Sequence, residues 1–177
     1  MRKITFKKAK YFLVAYMLLT TAFSAANAQD EITNKLTGSW KGEGKMVNTP
    51  SHYEMNWEKV LGGKFIRLTY RVEMRDPSGS LRVFAGYAFY RSLGDGKYEA
   101  TWFDSNGEQH SISAVFEADL LTANWGTPKT KLGRTTYRLV SSSEMELIDY
   151  IQTKDGNWRE FNRGMLKLSA RIEPKEK

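Results

Sequence analysis

The chain has 177 residues, with 27 Lys and Arg against 20 Asp and Glu, two His and no Cys. Without cysteine there is no disulfide, no thiolate nucleophile and no Cys-based metal or redox centre. Five of the basic residues, Arg2, Lys3, Lys7, Lys8 and Lys10, crowd an acid-free start; setting them aside leaves 22 against 20, and the basic character that would suggest nucleic acid or an anionic surface goes with them.

That start reads as a targeting signal. The apolar run from Tyr11 to Ala22 is too short for an ordinary membrane span, and Ala26-Asn27-Ala28 has the small-x-small form of a cleavage site. The expected mature chain begins at Gln29 and is periplasmic or secreted, with no stable membrane anchor. Residues 1–28 are thus a signal peptide, 29–35 a short N-terminal segment, 36–168 the folded domain and 169–177 a charged tail. About 149 residues remain after cleavage, enough for one domain with its own core.

From Leu36 onward, apolar and polar residues alternate in about ten runs bounded by turn residues, which is the pattern of half-buried strands. The first run, Leu36 to Val47, carries Gly38-Ser39-Trp40 and ends in a polar loop holding Pro50 and a solvated His52. Tyr53 to Leu61 is closed by Gly62-Gly63. Phe65 to Arg75 alternates most clearly, with Ile66, Leu68, Tyr70, Val72 and Met74 opposite Arg67, Thr69, Arg71, Glu73 and Arg75. Leu81 to Tyr90 is apolar on both faces apart from Arg82. Lys97 to Asp104 leads into Asn106-Gly107, a strong hairpin sequence. Glu108 to Glu117, Leu120 to Thr127, Arg134 to Ser141, Met145 to Thr153 and Trp158 to Leu168 follow.

Connections this short join neighbouring strands. The expected fold is all-β: a single closed up-and-down antiparallel barrel of about ten strands, since closure removes both sheet edges. A barrel of that size leaves an interior cavity. Its expected lining is Ile66, Leu68, Tyr70 and Val72; Val83, Ala85, Tyr87 and Phe89; Tyr98, Ala100 and Trp102; Ile112, Ala114 and Phe116; Ala123 and Trp125.

Gly38-Ser39-Trp40 resembles the G-x-W of the first lipocalin strand. Trp57 to Phe65 (WEKVLGGKF), Gly86-Tyr87, and Lys97 to Ser105 (KYEATWFDS) together resemble a bacterial family of secreted lipocalin-like (calycin) barrels of unknown function. The resemblance implies a barrel that binds a small apolar molecule, with an arginine of the last strand, Arg159 or Arg163, packed over Trp40. Nitrobindin-type haem barrels are similar more distantly, but the His their last strand supplies has no counterpart between Trp158 and Leu168, so no haem or other cofactor is implied.

Candidate ligand-binding residues are Tyr70, Tyr87, Phe89, Trp102, His110, Trp125 and Arg138. His110 shares a face with Ile112, Ala114 and Phe116 and could orient a ligand or act as a base; with only Glu108 beside it, it falls short of a metal site, and none is expected. Asp104, two residues after Trp102, either points inward or caps the turn at Ser105. Arg138 and Arg163 could each meet a ligand carboxylate, and Asn124 could place an amide at the wall. No G-x-S-x-G, phosphate loop or H-E-x-x-H occurs, so no catalytic residue is named. The expected function is binding of a small, mostly apolar ligand by a monomer or weak homo-oligomer. The alternatives are a ligand-free envelope module and a metal-independent isomerase or hydrolase.

Overall fold

A computed structural model describes residues 35–76, 78–127 and 129–171. The expected signal peptide, most of the segment 29–35 and most of the charged tail lie outside the described residues. Within them the chain forms ten strands in sequence order: β1 (Gly38–Met46), β2 (Thr49–Val60), β3 (Phe65–Arg75), β4 (Leu81–Gly94), β5 (Lys97–Asp104), β6 (Gln109–Glu117), β7 (Leu120–Gly126), β8 (Leu132–Ser141), β9 (Glu144–Gln152) and β10 (Trp158–Ala170). Each is antiparallel to its chain neighbours, and β1 pairs with β10 to close the barrel. The all-β meander expected from the alternation is the fold.

Closure explains the glycines of β1. A Cβ on Gly42 would stand 1.9 Å from the Met165 carbonyl oxygen, and one on Gly44 2.0 Å from that of Arg163. Only glycine lets the first and last strands approach this closely.

Beneath the seam one end of the barrel is packed. Trp40 is fully buried, and its indole N–H donates to the Leu36 carbonyl at 2.9 Å. Trp57 meets Tyr137 edge-on at 5.1 Å and Tyr90 at 5.5 Å. Leu68, Met145, Leu147 and Leu166 complete the fill, each fully buried. Burial of such side chains contributes about 1.5–3 kcal/mol apiece before chain entropy is charged.

Three expectations about this frame are corrected. Neither candidate arginine covers Trp40: Leu168 stands opposite it in β10, while Arg163 lies outside with Glu160 and Glu146, and Arg159 is exposed. An aromatic capped by the Leu36 carbonyl has no need of a cation. The stretch around Pro50 is strand, with Pro50 opposite Lys45; the turn is Val47-Asn48, whose φ angles of 48° and 64° form the left-handed pair of a tight hairpin. His52 is accordingly a strand residue, solvated as expected, 3.4 Å from Glu43.

The third concerns β4. Its inner face is Phe84, Gly86, Ala88 and Tyr90, whereas Val83, Ala85, Tyr87 and Phe89 point outward, with Tyr87 half exposed. Tyr87 and Phe89 therefore line no cavity. With Phe103 across the ladder from Tyr87 they form an apolar strip on the outer surface.

Candidate functional site

The end of the barrel away from Trp40 is open. A cavity of about 450 Å³ lies there, walled by Tyr70, Phe84, Trp102, Ile112, Ala123 and Trp125. Two indoles shape it, and both lie over glycines of neighbouring strands. A Cβ on Gly86 would come within 2.2 Å of Trp102 Cζ2, and one on Gly133 within 2.0 Å of Trp125 Cζ2. Gly86 faces inward, and the room left by its missing side chain is taken by Trp102, which also stacks on Phe84 at 6.3 Å and meets Tyr70 edge-on at 6.0 Å.

At the mouth, Asp104 plays both parts foreseen for it. Its Oδ1 accepts the amides of Asn106 (2.9 Å) and Glu108 (3.1 Å), capping the hairpin, and its Oδ2 accepts the Trp102 indole N–H at 3.1 Å. His110 Nε2 lies 2.9 Å from Glu108 Oε2, and its ring packs on Trp125 at 5.4 Å. Asp104, Glu108 and His110 each bring one donor atom within 4.8 Å of the others, a set able to hold a metal ion. The hairpin thus brings Asp104 to the Glu108–His110 pair, a third group that spacing along one strand did not show.

The floor holds what sequence reasoning missed. Asp149 projects from β9 into the cavity. Its Oδ1 accepts the Thr135 hydroxyl at 2.5 Å, and that hydroxyl accepts the Trp125 indole N–H at 3.1 Å. Its Oδ2 accepts the Asn162 amide at 2.5 Å, and the Asn162 carbonyl accepts the Tyr53 hydroxyl at 2.5 Å. Asn162 also lies 3.4 Å from the Tyr70 hydroxyl. Burial pushes the Asp149 carboxyl above its ordinary value, and the hydrogen bonds from Thr135 and Asn162 oppose the rise. Burial likewise raises Tyr53, to about 12, and Tyr70, Tyr90 and Tyr137, with the Asp149 charge adding to each.

Of the residues named from sequence, Tyr70, Trp102, His110 and Trp125 meet at this cavity. Tyr87, Phe89 and Arg138 do not. Arg138 is exposed on the outer face of β8, because the inner alternation there runs Gly133, Thr135, Tyr137. Asn124 is also outside, accepting from Arg134 Nε at 2.9 Å.

A family model described as "Protein of unknown function (DUF1579)" matches residues 26–167. The chain belongs to this family. Among solved structures the DUF1579 barrel is similar to Rv2717c from M. tuberculosis, at 18% identity and a TM-score of 0.55, over 78% of this chain and 96% of that one. It is also similar to the S-type phycobiliprotein lyase CPES from Guillardia theta, at 9% identity and a TM-score of 0.51, over 82% of this chain and 93% of that one. At these identities the likeness is one of fold. No curated protein sequence matches the chain.

Proposed function

We propose that this protein binds one small, mostly apolar molecule in the open half of its barrel, as an exported, periplasmic or secreted carrier or sensor. The observation that carries the reading is the contrast between the two ends: tight aromatic packing around Trp40 and Trp57, and an aromatic-walled space of about 450 Å³ above Asp149. That volume falls within the range of small-molecule pockets, roughly 300–1,000 Å³.

The test is native mass spectrometry of protein purified from its own source, together with titration of apolar probes while the emission of Trp102 and Trp125 is followed. A co-purifying small molecule and saturable quenching, lost when Ala123 in the cavity wall is enlarged to Phe, support the reading. A bare protein that no apolar probe quenches overturns it. Export is tested separately by N-terminal sequencing of the mature chain, which should begin at Gln29.

A further inference from the structure

We infer that the ligand of the cavity is a lipophilic amine, held as its ammonium against Asp149; this rests on the binding function proposed above. Sequence reasoning looked for an interior arginine facing a ligand carboxylate. The polarity is reversed: Arg138 and Arg163 are outside, and the ionisable group at the cavity floor is a carboxyl.

The hydrogen bonds have a fixed direction. An indole N–H can only donate, so Thr135 accepts from Trp125 and its own proton goes to Asp149. On the other side Tyr53 donates to Asn162, whose amide donates to Asp149. Two relays therefore end as donors on one carboxyl, an arrangement suited to its ionised form. Neither relay supplies a positive charge.

None of the basic residues at the cavity supplies it either. Arg82 is strongly exposed and directed to Asp76 at 4.0 Å, His110 is engaged by Glu108 at the rim, and Lys131 is exposed. An ionised carboxylate in an apolar enclosure without a counter-charge is costly, and a cationic ligand supplies what the protein omits. A carboxylate offers about four lone-pair sites, of which the relays use two, leaving acceptor capacity toward the cavity. The aromatic rings of Tyr70, Trp102 and Trp125 line the same cavity and offer a cation a second source of attraction. A fatty acid entering head-first would meet repulsion at the same point.

Calorimetric titration of the full mature protein at pH 7 with octylamine, 1-octanol and octanoate, in wild type and Asp149→Asn, tests the inference. Octylamine is expected to bind wild type at least about tenfold more tightly than octanol, and octanoate more weakly than either. In Asp149→Asn the amine advantage should shrink to within about threefold while octanol affinity is kept. If Asp149→Asn does not fold, the wild-type ranking alone decides. Equal binding of amine and alcohol, or preference for octanoate, overturns the amine inference and leaves the apolar-cavity reading standing. Binding of none of the three overturns both.

Discussion

Replacing Gly86 by Ala tests how the cavity wall is built. Gly86 lies within β4 with an ordinary strand backbone, so alanine itself introduces no conformational strain. The added Cβ would stand 2.2 Å from Trp102 Cζ2, 2.4 Å from Cη2 and 2.8 Å from Cε2, where ordinary contact begins near 3.4 Å. The indole must recede by roughly 1 Å, away from β4 and into the cavity. It is restrained by the 3.1 Å bond to Asp104 and by its packing on Phe84 and Tyr70. Overpacking of this kind costs about 1–3 kcal/mol. In a Trp102→Ala background the obstacle is gone, and Gly86→Ala should be neutral or stabilising by up to about 1 kcal/mol, since alanine has less backbone entropy to lose. Urea unfolding of the four proteins, followed by far-ultraviolet circular dichroism because a tryptophan is removed, gives the coupling. An equal loss in both backgrounds would refute the steric account of the wall.

Three further outcomes are expected. Asn162→Ala takes the acceptor from the Tyr53 hydroxyl and the amide donor from Tyr70 and one Asp149 oxygen, at a cost on the order of 3 kcal/mol in urea unfolding; adding Tyr53→Phe should recover part of it. Converting Val47-Asn48 to Asn-Gly relieves a β-branched residue at φ 48° and should raise stability by about 1 kcal/mol, read as a higher urea midpoint at constant slope. Tyr53, Tyr70, Tyr90 and Tyr137 hold their protons more tightly folded than unfolded, so their contribution is complete below pH 10 and is lost as pH rises toward the folded values, about 12 for Tyr53. Tyrosinate absorbance and loss of ellipticity should therefore appear together above pH 10, and early ionisation of these four in a folded barrel would contradict the burial.

How far the fold was legible depended on the strand. In β3 every outward residue after Phe65 is charged or Thr, so one parity fits and the inner face was evident. In β4 both faces are apolar, and the larger set, Val83, Tyr87 and Phe89, drew the assignment outward. Cross-strand partners share a face, and Tyr90 stands opposite Ala100, an inner residue of β5; this would have fixed the parity. A register shift between Ser92 and Gly94 hides that relation in the sequence, because an extra residue near the turn reverses the count. Asp104, Glu108 and His110 converge for a related reason: they flank one hairpin, and spacing along a single strand brings only Glu108 to His110.

Asp149 was legible in principle, since it continues the inward alternation of Met145 and Leu147, but an acid at the end of an apolar series is more often solvated. Its setting on the boundary between the packed and open halves also says what the network does for the fold. Thr135, Asp149, Asn162 and Tyr53 occupy the level at which packing stops, and polar groups that satisfy one another there cannot be covered by further apolar side chains without loss. Replacing the set together, as Tyr53→Phe, Tyr70→Phe, Thr135→Val, Asp149→Leu and Asn162→Leu, leaves only the Trp125 N–H of this network without its partner. Buried polar sets exchanged whole for apolar ones of similar volume are often neutral or stabilising by about 1–4 kcal/mol, whereas breaking one member is costly. The quintuple variant should therefore unfold at a urea midpoint no lower than wild type, against the loss expected for Asn162→Ala alone. It should also lose any preference for amines. A carboxyl kept at this level without a stability benefit is one whose use lies with the ligand; a marked destabilisation of the quintuple variant would instead make the network a structural requirement of the barrel.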